Sequence, residues 1–169
     1  MNTRRKHKMR TKILSLLEND SRLTTKDIAA MLGVEEAAVA ADIKAMEDGK
    51  IICGYHTMID WDKVSEEKVT ALIEVKVTPQ RGQGFDKIAE RIYNFDEVSS
   101  VYLMAGTYDL AVFINGKSLK EVSSFVYDKL ATMETVISTQ TNFVLRKYKD
   151  HGLVFDRAKS EDERLAIVP

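Results

Sequence analysis

The chain has 169 residues, 44% hydrophobic and 30% charged, with a net charge of −1. That balance suits one or two small globular domains and excludes a polycation that holds nucleic acid by bulk charge alone. Cys53 is the single cysteine, which excludes a disulfide framework and a multi-cysteine metal site, and no apolar run approaches the roughly 20 residues of a membrane span.

A soluble, cytoplasmic chain is therefore expected. Its charge is unevenly placed. Residues 1–12 hold Arg4, Arg5, Lys6, Lys8, Arg10 and Lys12 and no acid, a pattern that serves either a polyanion-binding arm or a solvated tail. The apolar stretch that follows, Ile13 to Leu17, is too short for a signal peptide and runs into Glu18-Asn19-Asp20.

Three helical patterns come next. Residues 9–19 place Ile13, Leu14 and Leu17 on one stripe, and residues 25–32 place Ile28, Ala29 and Leu32 on another. Residues 35–48 place Val39, Ile43 and Met46 on a third. Thr24-Thr25-Lys26-Asp27 has the form of a capping box, and Gly33 suits the left-handed residue of a tight turn. Gly49 closes the third helix, and Ile51 to Ile59 reads as a strand rich in β-formers. Helix, helix, turn, helix, strand is the order of a winged helix-turn-helix, although spacing alone also fits a three-helix cap with no DNA role.

The third helix turns Ala37, Ala40, Ala41 and Lys44 away from its apolar stripe. Alanine offers a thymine methyl contact but no bidentate hydrogen bond to a base. Glu35 and Glu36 suit the helix dipole yet repel phosphates. Weak direct readout is expected, with affinity supplied by Arg4, Arg5, Lys6, Lys8 and Lys44, by Thr25 and Lys26 at the start of the second helix, and by DNA shape.

From Val69 the period changes to two. Ala71, Ile73, Val75 and Val77 share one face of a strand, which Pro79 and Gly82-Gln83-Gly84 end. Phe85, Ile88, Ala89 and Ile92 mark a helix over 85–94. Strands follow at Val98–Ala105 and Leu110–Ile114, then a helix opened by a second box, Ser118-Leu119-Lys120-Glu121, carrying Leu119, Val122, Val126 and Leu130. The last strand runs from Thr135 to Leu145. The order β-α-β-β-α-β is ferredoxin-like and leaves one sheet face bare, which favours a dimer. The fold class is thus α+β: residues 1–62 form the winged helix-turn-helix with its basic arm, 63–68 a linker, 69–148 the sheet domain and 149–169 a tail.

Both halves resemble the Lrp/AsnC, or feast/famine, regulators. The resemblance is carried by Ile13 to Arg22, Asp27-Ile28-Ala29, Leu32-Gly33-Val34, Met46 to Ile52 and Gly54-Tyr55 in the first half. In the second it is carried by Ala105-Gly106-Thr107-Tyr108-Asp109-Leu110, Thr139 to Leu145 and Lys147. It implies that residues 35–48 are the recognition helix and that the sheet domain is of the RAM type. It also implies that a small effector, usually an amino acid, binds between dimers near Gly106 and Asp109, with Thr107, Tyr108 and Thr139 as further candidates. The sequence departs from the family at Glu35, where a serine cap is usual, and at Asp42, where an arginine is frequent. Glycine allows close approach to bare backbone, and an aspartate can hold an ammonium group; an ordinary hairpin turn explains the same residues.

Enzyme motifs are missing. His7, His56 and His151 are scattered, and no phosphate loop, metal-ligand spacing or nucleophile elbow appears. No catalytic residue, metal or cofactor is expected. Two functions remain: a DNA-binding regulator that assembles as a homodimer and further to a tetramer or octamer, or an oligomeric amino-acid sensor without sequence-specific DNA binding.

Overall fold

The computed structural model describes residues 3–64, 68–79 and 84–155. The chain divides into two compact units, Met1–Ile59 and Asp60–Pro169.

The first unit holds three helices, α1 (Thr3–Asn19), α2 (Thr25–Leu32) and α3 (Glu36–Asp48). Ile13, Ile28, Val39 and Met46 are fully buried, with Leu17 and Ala29 beside them. The capping box forms as expected: the Asp27 N–H donates to Thr24 Oγ1 at 3.1 Å, and the Thr24 N–H donates to Asp27 Oδ2 at 3.0 Å. Hydrogen bonds from the Thr24 hydroxyl and N–H hold the Asp27 carboxyl below its ordinary pKa. Gly33 takes the left-handed conformation at φ 64° and turns α2 towards α3.

Two expectations for this unit need correction. The basic run is not a free tail, because α1 begins at Thr3 and takes in the residues expected as an arm. Arginine and lysine are good helix formers, and the run carries straight on into the Ile13 stripe. Secondly, Ile51 to Ile59 forms no strand. Its side chains are β-formers, but residues 53–59 make no backbone hydrogen bond to another described segment, and a strand exists only by pairing. Gly49 ends α3 as expected, at φ −81°, and the left-handed residue that follows is Lys50 at φ 55°.

The second unit has the expected order: β1 (Val69–Val77), α4 (Gly84–Tyr93), β2 (Val98–Leu103), β3 (Leu110–Gly116), α5 (Leu119–Phe125) and β4 (Val136–Phe143). The sheet order is β2-β3-β1-β4, antiparallel throughout. Ala71, Ile73, Val75 and Val77 are all buried, as their alternation predicts, and meet Leu110, Val112 and Ile114 on the same face. Ile88 and Ile92 of α4 and Val122 and Phe125 of α5 cover it. Each such side chain contributes about 1.5–3 kcal/mol by leaving water.

The bare face is mixed rather than apolar. Leu72, Ala111, Phe113 and Tyr102 share it with Glu74, Lys76, Gln140 and Asn142, which the ladder places opposite or beside them. Each edge strand carries one residue without a ladder partner, Ser99 in β2 and Ile137 in β4.

The second helix of this unit also departs from its expected pattern. After Phe125 it widens into a π-helical turn over Val126–Leu130, closed by the Ala131 N–H donating to the Val126 carbonyl at 2.8 Å. The wider turn brings Phe125 and Leu130 to one buried side, whereas Leu119, expected in the core, is 58% exposed. Ser118 caps α5 through the Glu121 N–H, but the Glu121 carboxylate accepts from the Lys117 N–H, one residue earlier than a full box would have it.

Beyond β4, residues 149–154, expected as tail, form a short hairpin of β5 (Lys149–Asp150) and β6 (Leu153–Val154). His151 and Gly152, both at positive φ, make its two-residue turn. The acidic and apolar stretches expected after it lie outside the described residues.

Candidate nucleic-acid interface and effector turn

The outer face of α3 is what the helix wheel predicts: Ala37, Ala40, Ala41 and Lys44 are all exposed. Methyl groups dominate it, and Lys44 is its one cation, drawn loosely to Asp48 at 3.8 Å. The inner face differs from expectation. Val39 and Met46 are fully buried, but the third buried residue is Asp42, and Ile43 is only half-buried. Asp42 accepts from Arg10 Nε of α1 at 2.9 Å. Arg10 was counted in the basic run, and it faces inward to this partner.

Polar ties hold both ends of α3 as well. Near its start the Thr25 hydroxyl donates to Glu36 Oε1 at 2.7 Å. Thr25, a candidate contact, thus has its proton committed to a carboxylate, while Lys26 beside it is exposed. Glu35 occupies the N-cap position but makes no side-chain cap. Near the end of α3 the Tyr55 hydroxyl donates to Glu47 Oε1 at 2.8 Å. Partial desolvation and this acidic neighbour push the Tyr55 phenol above its ordinary pKa.

Lys6 and Lys8 are exposed on α1, whereas the side chains of Arg4 and Arg5 lie outside the described residues. A helix turns 100° per residue, so Lys6 and Lys8 point to opposite sides. A helical run presents only part of its charge to any one surface.

In the second unit, Gly106, Thr107, Tyr108 and Asp109 connect β2 to β3, with Gly106 and Thr107 exposed and Tyr108 and Asp109 half-buried. A Cβ placed on Gly106 would meet no atom within 4 Å. Asp109 is tied into the sheet: its Oδ2 accepts from the Val77 N–H at 2.8 Å, and its own N–H donates to the Val75 carbonyl at 3.1 Å. Thr139 pairs with Val75 from the other side of β1. The fold therefore brings these sequence-distant residues to one end of the sheet, about two strand spacings or 10 Å apart.

Sequence reasoning missed Arg10–Asp42, Thr25–Glu36 and Tyr55–Glu47. The first had a legible signal, since Val39, Asp42 and Met46 fall at i, i+3 and i+7. The other two pairs join segments whose approach depends on the turns between them.

Among the described residues, no helix is long and apolar enough to cross a membrane. The AsnC-type helix-turn-helix domain matches residues 11–47, and the Lrp/AsnC ligand binding domain matches residues 70–154. The uncharacterized HTH-type transcriptional regulator YugG of Bacillus subtilis is 50% identical over 160 residues, 94% of this chain and 96% of its own length. An uncharacterized HTH-type transcriptional regulator of Pyrococcus furiosus is 32% identical over 83% of this chain and 92% of its own. Among solved structures, a transcriptional regulator from Neisseria meningitidis, in complex with L-Met, has a TM-score of 0.67 at 24% identity, covering 85% of this chain and 92% of that one. With both of its units matched in order and its relatives named as regulators rather than enzymes, the chain belongs to the Lrp/AsnC family of DNA-binding transcriptional regulators.

Proposed function

We propose that the chain binds double-stranded DNA as a homodimer in the cytoplasm, with α3 in the major groove, and that an amino acid lodged between dimers alters its assembly and operator occupancy. The observation that carries this reading is the exposed, small-residue face of Ala37, Ala40, Ala41 and Lys44 on a helix whose opposite side is buried. Methyl groups allow close approach to a groove floor. Two such helices in a dimer reach successive grooves about one helical turn apart.

Most of the affinity comes from Arg4, Arg5, Lys6 and Lys8, with Lys26 and Lys44, through phosphate contacts. Thr25 contributes through its position, its hydroxyl being held by Glu36. The sheets meet through their mixed faces to form the dimer, and dimers join into a tetramer or octamer. Gly106, Thr107, Tyr108, Asp109 and Thr139 contact the effector. Open space beside Gly106 leaves its backbone accessible, and the Val77 N–H fixes the orientation of the Asp109 carboxylate that would receive an ammonium group. The effector acts by its different affinity for two assemblies.

The test is DNA binding to the region upstream of the chain's own coding sequence, with salt and individual amino acids varied. Neutralising Arg4, Arg5, Lys6 and Lys8 together should lower the slope of log K against log salt by about 2, since each contacted phosphate contributes about 0.9 and a helix presents about half of the four. An unchanged slope removes α1 from the interface. A saturable, amino-acid-dependent shift supports the regulator. The alanine face and the acids Glu35 and Glu36 favour a second reading, an oligomeric amino-acid sensor, and binding no tighter than to random duplex would select it.

A further inference from the structure

Asp42 is the one buried charged side chain among the described residues, and it lies on the helix proposed to enter DNA. Its partner Arg10 is about a quarter exposed, with Nε 2.9 Å from Oδ1. A charge pair in such a place is poor evidence of stability, because desolvation offsets most of the attraction. What it supplies is direction: a guanidinium N–H donates along a narrow range of angles.

The rest of α3 needs that direction. Its fully buried apolar anchors are Val39 and Met46, seven residues apart and so nearly on one line along the helix. Two anchors on one line fix how close α3 lies to α1 and α2 but resist rolling about its own axis poorly. Ile43, half-buried against the same core, adds a contact about 40° to one side of Val39, the side opposite Asp42, while Ala37, Ala38, Ala40, Ala41 and Ala45 add only methyl groups. Asp42, three residues after Val39, stands about 60° round the helix from it. That offset lets one directed bond oppose a roll. On a helix about 10 Å across, a roll of about 20° moves the outer face by nearly 2 Å, far beyond what groove contacts tolerate.

We infer that Arg10 and Asp42 are positioning residues for DNA recognition: their ion pair sets the roll of α3, and Arg10 serves there rather than on phosphate. The inference rests on the DNA-binding reading given above, but a readout on α3 itself separates the two.

The experiment uses the full chain in three forms: the parent, the apolar double variant Arg10→Met/Asp42→Leu, and the reversed double variant Arg10→Asp/Asp42→Arg. The apolar pair keeps the site filled, so the variant stays folded by circular dichroism. On the upstream duplex its affinity should fall at least tenfold with the salt slope unchanged, and its α3 amide resonances should broaden by exchange while those of α2 stay sharp. The reversed pair should restore affinity to within threefold and sharpen α3 again. Parent-like affinity in the apolar variant overturns the inference, as does a salt slope that drops by about one in it, because Arg10 would then be a phosphate contact. If the parent binds no DNA, the DNA-binding reading fails. The α3 resonances then decide the latch: broadened only in the apolar variant they support it, and sharp in all three they overturn it.

Discussion

In the sheet unit, thirteen buried apolar residues from two strands, both helices and the turns after α5 join in one core, whereas the helical unit closes on six. In the smaller core three polar ties converge on the one helix α3, Arg10 to Asp42, Thr25 to Glu36 and Tyr55 to Glu47, whereas in the larger unit they are spread, as Lys129 to Glu97 and Asn142 to Glu74. The difference follows from what each helix must do. A helix that offers one face to a ligand can bury only the other, and with alanine along much of its length little apolar volume remains to hold it. In the sheet unit, backbone ladders already fix every strand, and some polar side chains secure the ends of elements. Asp109 at the end of β1 and Ser118 before α5 are examples.

The contrast can be broken first at the cores. Met46→Ala removes one of the two anchors of α3 and should cost about 2–5 kcal/mol. Calorimetry should show a lower transition for the helical unit with the sheet unit's transition in place; equal shifts in both would mean that the cores do not stand apart. A smaller effect is expected at Asp109. Replacing it by alanine leaves the Val77 N–H without its acceptor and should destabilise the sheet unit by about 1–3 kcal/mol in urea unfolding, while Gly106→Ala should change it by less than about 0.5 kcal/mol. Loss of an effector response in Asp109→Ala is therefore informative only beside the Gly106 variant. The smallest effect is a gain: Lys50→Gly relieves a left-handed residue after α3 and should raise the midpoint by the equivalent of about 0.5 kcal/mol in unfolding free energy. An unchanged midpoint would show that Lys50 carries no strain.

Much of the fold was legible because period and punctuation agree. Thr24 and Asp27 cap α2, Gly33 turns it, and alternation from Ala71 to Val77 assigns the buried side of β1. Legibility failed where structure depends on a partner remote in sequence. Residues 51–59 have strand chemistry, and among the described residues none offers them a strand to pair with. Asp42 reads as a solvated helix acid until Arg10 is brought to it across 32 positions. Asp109 reads as a turn residue with a free carboxylate, and its commitment to Val77 appears only when β3 lies beside β1. For the candidate sites, exposure of Ala37, Ala40, Ala41 and Lys44 followed from the wheel alone, but which acids neutralise or orient their neighbours did not.

The two unpaired residues at the sheet margins, Ser99 and Ile137, bear on how the protein behaves at high concentration. An open sheet offers a row of free amides and carbonyls at each border, onto which further chains can stack into fibres. One extra residue in each border strand throws that row out of step and twists it, and β4 adds Ser138, Gln140 and Asn142, which give an incoming chain little to grip. Growth by strand addition is thereby discouraged at both margins, and association is channelled towards the faces of the sheet, where an assembly can close.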